Sequence, residues 1–221
     1  MPFAICLFFL PFAYCLLPID LDHTGSTDLF PLTDFVVLPG MEESTVIAQT
    51  IAWIKSVVIG CNFCPFAAKA MLRKSIRYVV LPVATVESTL AILSDELQFL
   101  DQNDTIETTL IIFQNDFSDF SQYLDLVELA EALNSRLGYD GVYQLASFHP
   151  EYMFEGSGED DPANYTNRSA YPMLHILREE SITIAVELYP DTEAIPQRNI
   201  EFAKQKGLKY MQLLRAACFD V

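Results

Sequence analysis

Residues 76–113, IRYVVLPVATVESTLAILSDELQFLDQNDTIETTLIIF, decide how the chain folds. Ile76 to Val83 is β-branched and apolar enough for a buried strand, with Pro82 near its end. Thr85 supplies a side-chain acceptor for a helix start, and Leu90, Leu93, Leu97 and Leu100 then recur at helical spacing until the run DQND. Thr108 to Phe113 is a second strand. A strand, a helix of good length and another strand form the repeating unit of an α/β layered domain, in which helices cover a largely buried sheet.

Working outward, the alternation continues on the C-terminal side. Asp119 with Gln122 resembles a capping box, Leu126, Ala130, Leu133 and Leu137 share one helix face, and Gly138 marks its end. Val142 to Phe148 reads as a third strand that delivers His149 at its end. On the N-terminal side, Ile47, Ile51, Ile54 and Val58 define a core-facing helix flanked by Trp53 and Val57, and Gly60 ends it. Pro65 suits the first turn of a further helix to Ser75, which puts Cys64 at or beside its N-cap. Pro172 to Tyr189 carries two periods at once. Ile182, Ile184, Val186 and Leu188 alternate like a strand, while Leu174, Leu177, Ser181, Ile184 and Leu188 recur like a helix, and helix is preferred. Pro196 to Lys206 and Leu208 to Ala217 are helices separated by Gly207. The expectation is a single layered α/β domain with a small, mostly buried sheet of about three strands or slightly more, covered by helices, and with a helical C-terminal region.

Composition narrows the partners. The 221 residues are 51% hydrophobic, enough to bury a substantial core, and 30 acidic against 13 basic residues give a net charge of −17. No Lys/Arg stripe offsets that charge, so binding to a nucleic-acid backbone is disfavoured. Cys6, Cys15, Cys61, Cys64 and Cys218 are an odd set without framework spacing, which fits a reducing cytoplasmic compartment.

Residues 1–19 are apolar, yet no Lys or Arg precedes Lys55, and Pro2, Pro11 and Pro18 interrupt any spanning helix. A membrane or secretory role follows only if this stretch is a genuine anchor or signal. Met41 begins a stretch with acidic residues, a Ser44 cap and helical periodicity. The expectation is therefore that Met41 is the natural initiator, that residues 1–40 are an extension outside the fold, and that 41–221 is one domain.

The polar chemistry gathers in residues 144–180, QLASFHPEYMFEGSGEDDPANYTNRSAYPMLHILREE, which hold His149 and His175. Cys64 is a candidate nucleophile, since a helix start and the nearby Lys69, Arg73 and Lys74 favour a thiolate; burial as a structural cysteine is the competing reading. Cys61 and Cys64 have the spacing of a dithiol redox pair, but a helix rather than a strand precedes them. With His149 and His175, Cys64 also makes a three-ligand set for zinc or another divalent metal with one open position, or the histidines act as general acid and base. Asp160, Asp161 and Asn164 lack the alternation of a calcium loop and read as a solvated turn. Arg168 among Thr166, Asn167 and Ser169 could clamp an anion, with Arg178 a second guanidinium nearby in sequence; alternatively the asparagines cap turns and Arg168 pairs with Glu179 or Asp161.

These residues carry a family pattern. Asn62, Cys64, Pro65, Phe66 and Ala67, then Gln144 to Phe154, then Asn164, Thr166 to Ser169, Tyr171, Pro172, Leu174, His175, Leu177, Arg178 and Glu179 resemble the signatures of a bacterial domain family of unknown function. The likeness runs from about residue 41 to 207. Ala170 stands where that family has proline, and Cys61 lies outside the pattern. The resemblance implies a shared site around Cys64, His149, Asn167, Arg168 and His175, without naming a reaction. The functional expectation is an enzyme-like domain that binds a small anionic molecule, with Cys64, His149 and His175 as chemical groups and Asn167, Arg168 and Arg178 as ligand-binding groups. A non-catalytic metal- or ligand-binding module and a protein-interaction domain are the alternatives.

Overall fold

The fold grows from Thr108–Phe113, where all six residues are buried. In the computed structural model, which describes residues 42–189 and 191–221, this segment pairs on both sides and forms the middle of a four-stranded sheet. The apolar run 1–19 and the Met41 start lie outside the described residues.

In chain order, α1 is Glu43–Trp53 and runs into a π-helical turn at Ile54–Ile59. A short α2, Ala67–Arg73, follows. Next come β1 at Ile76–Leu81, α3 at Val86–Gln102, β2 at Thr108–Phe113, α4 at Phe120–Arg136 and β3 at Tyr143–Phe148. A loop over residues 149–172, with a 3-10 turn at Pro162–Thr166, leads to β4 at Met173–Arg178. Helices α5 at Glu179–Leu188, α6 at Ile195–Lys206 and α7 at Leu208–Ala216 complete the order.

The sheet order is β1-β2-β4-β3. β1 and β2 run parallel across the α3 crossover, whereas β4 pairs antiparallel with both β2 and β3. The α/β class is as expected, but Pro172–Tyr189 is not one helix. Its first part is β4 and only Glu179–Leu188 is helical. β4 is a central strand apolar on both faces, so its residues do not alternate, and without that cue the run blends into the helical period of α5.

Each sheet face carries its own core. On one, Ile111, Phe113, Leu145, Leu174 and Ile176 meet α3 and α4. On the other, Leu110, Ile112, Phe148 and Met173 meet α1, the π turn, α6 and α7. Trp53 is 1% exposed there, stands edge-on to Phe148 at 5.0 Å, and donates its indole N–H to the Arg168 carbonyl at 3.1 Å.

Helix α1 buries Val46, Gln49, Thr50 and Trp53 and the π turn buries Ile54, Val57 and Val58, so Ile54 and Val58 face the core as expected while Ile47 and Ile51 are only part-buried. The π turn also explains Gly60: a Cβ there would lie 2.3 Å from the Ser56 carbonyl oxygen. Helix α2 starts after Phe66, so Cys64 precedes the cap rather than forming it. Asn62 already holds a positive φ of 54°, and the 63–66 segment needs a turn before the helix can begin.

Candidate functional site

A cavity of about 330 Å³ opens between the π turn, α2, α5 and the sheet face that carries His175. Its walls are mostly apolar, with Ile54, Phe66, Ala70, Leu110, Ile182 and Leu188 among them. Of the groups expected to do chemistry, Cys64 and His175 line it. Lys69 and Arg73 bring charge, Arg73 being paired with Glu107 at 2.8 Å. Helix α5 forms one side of the cavity while burying only Ile182, so much of its apolar surface faces this space rather than a packed core.

His175 sits on β4 opposite Leu110 and Ala146. The Thr108 hydroxyl lies 2.5 Å from both the Ile176 carbonyl oxygen and His175 Nε2. A hydroxyl has a single hydrogen and the carbonyl can only accept, so Thr108 donates to Ile176 and accepts from an Nε2–H. That fixes the tautomer and leaves Nδ1 as an acceptor, buried and without a partner. Desolvation drives the His175 pKa from its ordinary value of 6.5 down to about 4, so the ring is neutral around pH 7.

His149 is not in this cavity. It is 0% exposed and packs against Phe120 and Tyr123, with ring centroids 5.1 and 4.9 Å away. Its Nε2–H meets the Phe117 carbonyl at 2.9 Å, and Nδ1 accepts from the Glu151 amide at 3.0 Å. Both nitrogens are thus committed, and burial lowers its pKa. Thiol and imidazoles do not form the three-ligand metal set. Among the described residues no three His, Cys, Asp or Glu side chains are grouped to hold a metal. The reason is topological: His149 follows β3 and lies on the α4 side, whereas His175 projects from β4 on the other side.

The motif around Arg168 holds the loop itself. Arg168 donates Nε–H to the Tyr152 carbonyl and an Nη2–H to the Glu159 carbonyl, both at 3.0 Å, and lies over the Tyr165 ring at 4.9 Å. Asn167 is 2% exposed and accepts from the Thr166 hydroxyl, with the Tyr152 hydroxyl also bonded to its side chain. Asn164, fully buried, accepts from the Phe154 amide and the Ser157 hydroxyl and donates to the Gly158 carbonyl. Neither of the pairings foreseen for Arg168, with Glu179 or Asp161, is present; Asp161 meets Lys204 at 3.2 Å.

Arg178 borders the cavity, yet its guanidinium closes the end of α3. It donates to the carbonyls of Leu100, Asn103 and Ile106 and to the Tyr143 hydroxyl. Cys61 is buried beside the π turn, its thiol raised to about 11 by burial, and it makes no disulfide with Cys64.

Sequence reasoning missed Thr108 and the inner face of α5, and read Lys69 only as charge beside Cys64. Thr108 looks like any strand threonine, and only its register opposite Leu177 shows that it sets a histidine tautomer. The mixed periodicity of residues 172–189 was the one signal of a strand entering a half-buried helix.

The sequence model of DUF1415, described as a protein of unknown function, matches residues 45–213, and the chain belongs to that family. No curated protein and no solved structure matches it. Among the described residues no helix is long and apolar enough to cross a membrane.

Proposed function

We propose, taking membership of that family as the premise, that this domain binds a small amphipathic molecule in the cavity beneath α5. The observation that carries the reading is the coincidence of an apolar-walled space of about 330 Å³ with a polar pair, Cys64 and His175, on its lining. Pockets of this size with few convergent polar groups are where ligands sit. The anionic end of the ligand meets Lys69 at the rim, since Asn167, Arg168 and Arg178 are occupied in holding the fold. Partners are small molecules rather than nucleic acid or a lipid surface, in keeping with the charge of −17, and the odd cysteine set suits a cytoplasmic setting.

Calorimetric titration with octanoate tests this. Octanoate binds, octylamine binds more weakly, and Ala185→Trp, which fills the space, abolishes both. Octanoate binding that survives Ala185→Trp overturns the site.

A second reading, catalysis with Cys64 as nucleophile, has the shared cavity of Cys64 and neutral His175 in its favour. Iodoacetamide alkylation followed against pH decides it: a midpoint well below ~8.5 for Cys64 supports the reading, and an ordinary thiol profile removes it.

A further inference from the structure

His175 constrains the ligand more tightly than size and charge do. Its Nε2–H is spent on Thr108, whose own hydrogen is spent on Ile176, so rotation of neither group can turn Nδ1 into a donor. The ring cannot slide along the strand either, because β4 is paired on both edges, opposite Leu110 in β2 and Ala146 in β3. Phe148 lies at 6.0 Å on the same sheet face, and Phe148, Leu110 and Leu177 line the same cavity as the imidazole. None of these side chains can donate a hydrogen bond, and Nδ1 is left buried without a partner. A buried acceptor without a donor is costly, so a native structure that keeps one calls for an explanation.

We propose that the ligand presents a neutral hydrogen-bond donor, a hydroxyl or N–H on an apolar body, to Nδ1 of His175, and that this atom discriminates against molecules of the same shape lacking the donor. The inference rests on the cavity being the binding site. Buried polar atoms built to pair with a donor reject the analogue that lacks one far more strongly than an apolar pocket rejects a missing methylene. The neutral state of the imidazole keeps the acceptor available at ordinary pH. Ethers, esters and other groups that only accept would face a lone pair, and are excluded on the same ground.

The test uses p-cresol and 4-methylanisole, which share a ring and a ring methyl, the ether carrying a methyl group where the phenol carries its donor hydrogen. Titration of the full chain gives about tenfold tighter binding of p-cresol, the size of one hydrogen bond made to an otherwise unmet acceptor. In His175→Leu the preference falls to about unity. Equal affinity of the two probes in the wild type, in a site that Ala185→Trp closes, overturns the inference and leaves the cavity reading standing. Failure of octanoate and both cresol probes to enter a site sensitive to Ala185→Trp overturns both. Nitrogen-15 NMR of the histidines in the unliganded protein provides an arm that needs no variant: His175 as the Nε2–H tautomer, with its Nδ1 resonance moving upfield on adding p-cresol, is expected. An Nδ1–H tautomer removes the proposed acceptor.

Discussion

The loop 149–172 and the cavity under α5 both draw on the most distinctive motif residues of the chain, and they treat polar atoms in opposite ways. In the loop, His149 is satisfied at both nitrogens, Asn164 makes three hydrogen bonds, and the Arg168 guanidinium donates to two carbonyls. In the cavity, His175 is satisfied at one nitrogen only. A motif rich in polar residues is thus not by itself a reaction centre. Buried polar side chains with every atom paired specify a backbone path, whereas an unpaired buried nitrogen on a cavity-lining ring points to something from outside.

The contrast is sharpened by substitutions that cost stability in the loop and leave it nearly unchanged at the cavity. The largest effect is expected for Asn164→Ala, where loss of three buried hydrogen bonds lowers stability by about 4 kcal/mol in urea unfolding without a selective effect on cavity ligands. Arg178→Met, which uncaps α3 while bordering the cavity, lowers stability by about 3 kcal/mol. If it instead leaves stability intact and only weakens octanoate binding, Arg178 belongs to the site and not to the frame.

Acid provides the next comparison. The folded pKa of His175, about 4, lies below its ordinary value of 6.5, so the unfolded chain takes up this proton first. The stability contribution is whole above pH 6.5 and declines as pH falls from there through 4. Relative to His175→Leu, the wild type should lose about 2 kcal/mol between pH 7.5 and pH 5. Glu107, Arg73, Lys69 and Arg178 border the same cavity in both proteins and cancel in the difference, as does the lowered His149. Parallel curves for the two proteins would mean that the imidazole is solvated. The smallest effect is His175→Leu at pH 7.5, within about 1 kcal/mol of wild type, because removing the unmet Nδ1 offsets loss of the Nε2–H bond to Thr108. The equivalent change at His149 strands the Phe117 carbonyl and the Glu151 amide, and the stability gap between the two variants measures the contrast directly.

Much of the frame was legible. The β-branched runs at Ile76 and Thr108, the Thr85 and Asp119 caps and the glycine at 207 each act within a few residues, and β1, α3, β2, α4, α6 and α7 lie where those signals place them. Cys64 and His175 were legible as unusual residues, but so were His149, Asn167 and Arg168, and nothing in their spacing separated the two groups. Residue type alone does not say whether a side chain is paired, and some of the deciding groups lie far along the chain, as Phe117 does from His149 and Thr108 from His175.

What the sequence determined alone was the α/β alternation and the caps that bound its helices, because period and capping are properties of neighbouring residues. What tertiary structure decided was the insertion of β4 between β2 and β3, which turns His175 toward α2 and α5 while His149 stays on the α4 side. Strand order is set by which apolar faces can be covered at once across the whole chain, and no local pattern carries that information.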